Sequence, residues 1–233
     1  MLMQRTSILI VAILAGLALA YGIVWYLEGG ISKQAQIKEG EMRADSMRVE
    51  TAAVREDADT YTIDAQYPQF GAPAIDTAIA SFVRDAIAQF KMDAAESPPF
   101  PLGTQYELTS IFNGVYIGED IISARLIVST YMGGAHPVSF AYGLNFDRAT
   151  GRELTLSDAL SMISMSLEQV STRTISELNA QFDERVFFAE GAVAKPENYS
   201  TFAIDESTVT FIFQPYQVAP YAAGLQEVSF KRR

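Results

Sequence analysis

The chain contains a single histidine and no cysteine, so the side chains able to do chemistry are few. His136 sits in Tyr131-Met132-Gly133-Gly134-Ala135-His136-Pro137. A two-histidine metal site cannot be built from it, and a Ser-His-Asp system would have to use it. Glycines at 133 and 134 permit positive φ or close approach of another backbone, and Pro137 stiffens the exit. Two readings follow. Either His136 caps a shaped turn between strands by hydrogen bonding to backbone, or the loop lines a binding surface. A second unusual stretch spans residues 214–224, where Tyr216 and Tyr221 are flanked by Pro215 and Pro220. Its tyrosines can pack inward, or present a rigid contact surface at low entropic cost.

Other candidates are weaker. Glu119 and Asp120 are adjacent carboxylates, whereas a glycosidase pair stands roughly 5 to 9.5 Å apart across its substrate. They read as the solvated tip of a hairpin. No glycine-rich phosphate loop is present, and Asn198-Tyr199-Ser200 is a formal glycosylation sequon that matters only in a glycosylating host. No catalytic residue, metal-ligand set or cofactor site is assigned. The absence of cysteine excludes a disulfide framework, a thiol nucleophile and thiolate metal sites. The formal charge of −11 argues against a nucleic-acid partner, which requires clustered Lys and Arg. Between residues 60 and 230 there are 20 acidic and 8 basic residues, so the acidity belongs to the folded part. It serves solubility or attracts a basic partner.

These residues must be positioned by elements that the periodicity predicts. Residues 60–67 alternate as a strand, with Tyr61, Ile63, Ala65 and Tyr67 on one side. Residues 74–91 carry Ile75, Ile79, Phe82, Ala86 and Phe90 at helical spacing. The stretch 95–103, with three prolines, is a loop. Residues 105–112, 121–131 and 139–146 are strands of an antiparallel meander, with turns at Asn113-Gly114 and 118–120. Thr155-Leu156-Ser157-Asp158 fits a capping box. It opens a helix that reaches about Asn179, with Leu160, Ile163, Leu167, Val170 and Leu178 on one face. Short strands at 201–204, 209–213 and 227–230 complete the domain. The predicted class is α+β: a largely antiparallel β-sheet with two long helices packed on one face, preceded by one transmembrane helix.

That preceding helix is the run opening at Ile8 and closing at Leu27, twenty residues without a charge. At about 1.5 Å per residue it reaches roughly 30 Å, the thickness of the hydrocarbon layer. Trp25 and Tyr26 sit at its outer end, as interfacial rings do. The competing reading is a cleaved signal peptide ending at Ala18-Leu19-Ala20. Either way the remainder is exported. The expected organisation is a short cytoplasmic N-terminus (1–7), a single-pass inner-membrane anchor (8–27), a charged stalk (28–59) and an extracytoplasmic domain (60–233) facing periplasm or cell exterior.

Several of these segments together resemble a bacterial extracytoplasmic domain of largely uncharacterised role. It forms the outer part of lysozyme-binding sigma-V anti-sigma factors and the N-terminal part of certain peptidoglycan deacetylases. The pieces that carry the resemblance are 131–137, Asn145-Phe146-Asp147, Thr150-Gly151, 154–158 and Phe211-Ile212-Phe213-Gln214-Pro215-Tyr216 through Gly224. The resemblance implies fold, location and a binding role. It does not imply deacetylation, which belongs to a separate catalytic domain. A sigma-factor partner is not expected either, because seven residues ahead of the anchor cannot hold a sigma-binding segment.

The expected function is therefore a membrane-anchored, non-catalytic module that binds a cell-envelope partner, either peptidoglycan or a basic protein such as lysozyme. Its expected contact residues are Tyr131, Gly133, Gly134, His136, Tyr216 and Tyr221. The alternative is a small wall-glycan hydrolase using His136 and a carboxylate as acid and base. That reading requires His136 in a pocket beside an acid. A third possibility is a structural protein that only self-associates.

Overall fold

Alternating apolar residues need a surface to cover them, and the helix that follows the first such stretch supplies it. The computed structural model describes residues 47–97, 104–182 and 187–233. The anchor from Ile8 to Leu27, residues 28–46 of the stalk and the three prolines at 98–101 lie outside them. Among the described residues no helix is long and apolar enough to cross a membrane. Strands β1 (Glu50–Asp57) and β2 (Tyr61–Gln69) lead into helix α1 (Pro73–Glu96), and strands β3 (Tyr106–Ile117), β4 (Ile121–Tyr131) and β5 (Val138–Asp147) follow. The five strands form one sheet in chain order. β2 and β3 run parallel and the other neighbours antiparallel, because α1 makes the crossover that a parallel pair requires. The expected β3–β4–β5 meander is present.

α1 lays Ile75, Ile79, Val83, Ile87, Phe90 and Ala94 on that sheet. The buried stripe passes through 83 and 87 rather than 82 and 86. Phe82 lies at its flank and meets Tyr142 of β5 edge-on at 4.8 Å. Facing α1 are Ile63, Ala65, Leu108, Leu126 and Val128, all buried.

Three sequence expectations are corrected here. Residues 50–57 are not stalk but an edge strand. Its partly buried positions, Ala52, Val54 and Glu56, carry too little apolar bulk to show periodicity, and its charges are those of a strand that ends a sheet. Asn113-Gly114 is not a turn. It lies inside β3 where the pairing with β4 shifts register, and Gly114 takes φ 58° to make the bulge. The turn is at residues 118–120 alone, where Glu119 and Asp120 are exposed.

The third correction concerns the second helix and the placing of helices on one face. The stretch that reads as one helix is two, α2 (Leu156–Ile163) and α3 (Leu167–Gln181). Ser164 turns left-handed at φ 54° and ends α2. Ser166 then starts α3 with its own capping box to Gln169, so two helix starts are satisfied within one apolar stripe. The bend lets both helices wrap a second sheet, β6 (Phe202–Ile204), β7 (Thr208–Phe213) and β8 (Gln226–Lys231), paired antiparallel. Ala159, Ile163, Val170 and Leu178 enclose Phe211, Phe213, Val228 and Phe230 with Tyr199 in a core of its own. The helices thus serve two sheets rather than one face.

The two sheets are joined by buried polar groups. Ser123 of β4 and Asn145 of β5 are cross-strand partners, 0% and 2% exposed. The Ser123 hydroxyl donates to Asn145 Oδ1 at 2.7 Å and accepts from the Ile204 amide at 3.0 Å. Asn145 Nδ2 donates to the Phe202 carbonyl at 2.7 Å. Beside them, a Cβ on Gly143 would stand 1.8 Å from that same carbonyl, so β6 lies where only glycine lets it. Removing one member of such a network strands the others away from water. We expect Asn145→Ala to lower unfolding stability by about 2–4 kcal/mol, against under about 0.5 kcal/mol for the exposed Glu119→Gln. Urea unfolding followed by circular dichroism measures both. A loss below about 1 kcal/mol for Asn145→Ala would show that the joint is not held this way.

Candidate functional site

The segments that resemble a known domain divide by what the fold needs of them. Asn145 makes the sheet joint. Asp147 closes the next turn, its Oδ1 accepting from the Thr150 amide and hydroxyl at 2.8 and 2.7 Å. Those bonds hold its carboxyl below the usual carboxylate range. Gly151, at φ 72°, brings that turn to the first residues of α1, where a Cβ would meet Ala74 at 2.6 Å. Thr155 and Asp158 form the capping box of α2. Arg152 donates from both terminal guanidinium nitrogens to the Asp158 carboxylate, at 2.9 and 3.0 Å. The arginine, with the Thr155 amide and hydroxyl, pushes the Asp158 carboxyl far below its ordinary range. Folding accounts for these residues. It does not account for the loop at 131–137 and the segment at 214–224.

Those two stretches meet. The loop between β4 and β5 turns through Gly133 and Gly134 at φ 91° and 108°, a conformation that glycine adopts at little cost. Tyr131 donates its hydroxyl to the Gly134 carbonyl at 3.1 Å, bracing the turn. His136 is exposed, and Nδ1 lies 2.9 Å from the Pro137 carbonyl. Its ring stacks on Tyr221, 85 residues later, with centroids 3.9 Å apart and planes 15° from parallel. Tyr221 in turn donates its hydroxyl to the Pro137 carbonyl at 2.8 Å. Tyr216 lies 5.5 Å from Tyr221 and is 61% exposed, the most exposed large apolar or aromatic side chain among the described residues.

The second stretch is fixed by its glutamines. Gln214 spans the edge of β5, accepting from the Ala141 amide at 2.9 Å and donating to the Ala141 carbonyl at 2.8 Å. Gln217 donates to the carbonyls of Gly191 and Asn198 and accepts from the Gln214 amide. Tyr216 itself adopts φ 68°, a left-handed conformation that costs a non-glycine residue energy and persists where surrounding contacts determine it. Val218 and Ala219 are buried behind it. The result is an outward-facing row of three rings, His136, Tyr221 and Tyr216, on backbone pinned at both ends. Val138 and Phe140 at the start of β5 are also exposed, on the sheet face that carries α1.

The structure thus brings His136, Tyr216 and Tyr221 together, with Gly133, Gly134 and Tyr131 shaping the loop beneath. His136 contacts backbone, as the shaped-turn reading expects, and its side chain is exposed. Among the described residues the hydrogen bonds of His136 include no carboxylate partner, its Nδ1 lying against the Pro137 carbonyl. No cluster of potential metal ligands occurs among them either. The sequon side chain is engaged, Asn198 Nδ2 donating to the carbonyls of Glu190 and Val193. Sequence reasoning missed Gln214 as the clamp on β5. Gln214 stands beside Pro215 in the unusual segment, but nothing local points it to Ala141.

Comparison with known proteins gives two family matches. Residues 54–139 match the model described as Deacetylase PdaC, and residues 154–233 match that of a protein of unknown function, DUF3298. His136 lies in the first stretch, and Tyr216 and Tyr221 in the second. The chain is 24% identical over 225 residues to the peptidoglycan-N-acetylmuramic acid deacetylase PdaC of Bacillus subtilis, covering 94% of this chain and 48% of that protein. It is 30% identical over 100 residues to the immunogenic protein MPT64 of Mycobacterium tuberculosis, covering 43% of this chain and 44% of that one. The chain spans about half the length of the curated relatives it matches. Two solved DUF3298 structures share the fold at 16% identity. One, from Pseudomonas aeruginosa, has a TM-score of 0.57 and covers 81% of this chain and 92% of that one. The other, from Bacteroides fragilis, has a TM-score of 0.51 with 80% and 90% covered. These matches support the deacetylase part of the resemblance. The anti-sigma part does not rest on them and stays an expectation.

If Tyr221 is what holds the loop, Tyr221→Ala should free residues 133–138. Their amide exchange should quicken about tenfold or more, while global stability falls by less than about 1.5 kcal/mol. Hydrogen–deuterium exchange read by mass spectrometry measures this. Unchanged exchange in the loop would mean that the glycines and Tyr131 suffice.

Proposed function

We propose that this protein is a non-catalytic, extracytoplasmic binding module, held at the inner membrane through the run from Ile8 to Leu27, and that its partner is the glycan of the cell envelope. The observation that carries the reading is the ring row of His136, Tyr221 and Tyr216. A buried ring adds core. A ring 61% exposed on a strained but pinned backbone is arranged for contact, and its ordering entropy is already spent. Pyranose rings present flat C–H faces that stack on aromatic planes, while their hydroxyls bond to groups at the ring edges such as the free His136 nitrogen. The similarity to a peptidoglycan deacetylase supports the same partner class.

A second reading has its own observation. The domain carries 20 acidic against 8 basic residues between 60 and 230, which favours encounter with a basic protein such as lysozyme. The two readings separate by salt. Full-length protein in nanodiscs should bind purified peptidoglycan, with affinity changing less than about threefold between 50 and 300 mM salt. Tyr216→Ala should lower that affinity about tenfold without moving the unfolding midpoint. Binding to lysozyme alone, lost as salt rises and indifferent to Tyr216, would replace the first reading with the second. No binding to either would remove both.

A further inference from the structure

The hydrogen-bond polarity of the ring row follows from where its protons go. A backbone carbonyl can only accept, and His136 Nδ1 lies 2.9 Å from the carbonyl of Pro137. In the neutral ring the proton therefore sits on Nδ1, and the second nitrogen, Nε2, carries a lone pair. The Pro137 carbonyl also accepts from the Tyr221 hydroxyl at 2.8 Å, so both of its lone pairs are engaged. The opposite tautomer would set a nitrogen lone pair against that oxygen. The two bonds thus fix the tautomer as well as the stack of His136 on Tyr221.

The segment behind the rings uses its donors inward in the same way. The side-chain N–H groups of Gln214 go to the Ala141 carbonyl and the Thr201 hydroxyl. Those of Gln217 go to the carbonyls of Gly191 and Asn198. Across residues 214–224 this leaves the Tyr216 hydroxyl as the one side-chain donor without a partner among the described residues. What the exposed His136 ring has left is an acceptor, because among the described residues no hydrogen bond engages Nε2.

We infer that the ring row selects an N-acetylated hexosamine, whose acetamido N–H donates to Nε2 of His136 while its apolar atoms lie on the exposed Tyr216 ring. The inference rests on the glycan reading proposed above and makes His136 its specificity-determining residue. An acetamido group suits the row because one planar unit carries both an N–H, for the ring nitrogen, and a methyl, for an aromatic face. A plain hydroxyl supplies the donor but not the methyl. A group that only accepts, such as a carboxylate on the same glycan, finds no donor at this nitrogen and points away from the row. A site built to accept discriminates against ligands that bring it no donor, because the acceptor then loses its water without replacement.

The protein for the test is the full chain in nanodiscs, isotope-labelled at histidine. With a single histidine in the sequence, nitrogen NMR reports one imidazole and needs no variant. In mildly alkaline buffer the protonated nitrogen should be Nδ1, and saturating chitotetraose should shift the Nε2 resonance. The reverse tautomer would overturn the inference. Chitotetraose should also bind about fivefold more tightly than cellotetraose, which has hydroxyls in place of the acetamido groups. His136→Phe keeps a ring on Tyr221 but has no lone pair, and should bring chitotetraose down to the affinity of cellotetraose. Equal binding of the two sugars by the unaltered chain, or a preference that survives His136→Phe, would overturn the inference and leave the glycan reading standing. Failure of both sugars to bind would remove the glycan reading and the inference with it. A shift of Nε2 produced by lysozyme and by neither sugar would overturn it too, giving the acceptor to a basic protein.

Discussion

The joint of Ser123 and Asn145 with the backbone of β6 sets the relation on which the rest of the structure depends. Each half of the domain has its own core, α1 on the five-stranded sheet and α2 with α3 on the three-stranded sheet. Two cores side by side impose no fixed angle on one another. Buried hydrogen bonds do, because a displaced donor or acceptor costs free energy without water to replace its partner. Ser123 and Asn145 use their capacity on each other and on Phe202 and Ile204, and Gly143 gives the room for that approach.

The same joint determines where a surface is left over. It seats the second sheet on one end of the first, so among the described residues one end of that face is covered and the other is not. It also delivers the chain beyond β7 to the edge of β5, where Gln214 replaces a missing strand by bonding both polar groups of Ala141. An exposed sheet edge invites unwanted pairing. Here one amide side chain satisfies part of it and holds Tyr216 and Tyr221 in place. Stability and site geometry come from the same contacts, which is why the rings need no pocket to be ordered.

Much of the fold was legible in the sequence. α1 and the meander follow from periodicity alone, since each has one face to bury and enough large apolar residues to mark it. The capping box at Thr155 was legible because its two members lie three residues apart. β1 was not, because an edge strand buries too little to leave a pattern. The break at Ser164 was hidden, since the apolar stripe continues on both sides of it. At the site, His136 and the Tyr216–Tyr221 segment stood out by composition, but their stacking could not be read. It joins residues 85 positions apart through a sheet joint whose polar members look ordinary in sequence. Asn145 lay within a resembling motif, yet only the packing shows that its role is structural.

The claim at the centre of this account is that the His136–Tyr221–Tyr216 rings contact envelope glycan. Hydrogen–deuterium exchange of the full chain in nanodiscs, with and without soluble peptidoglycan strands, tests it at the level of segments. The account predicts slowed exchange confined to the loop at 131–138 and the segment at 214–224, with α3 and β7 unchanged. Slowed exchange on the outer side of α3 instead, or no change anywhere with glycan present in excess, would contradict it.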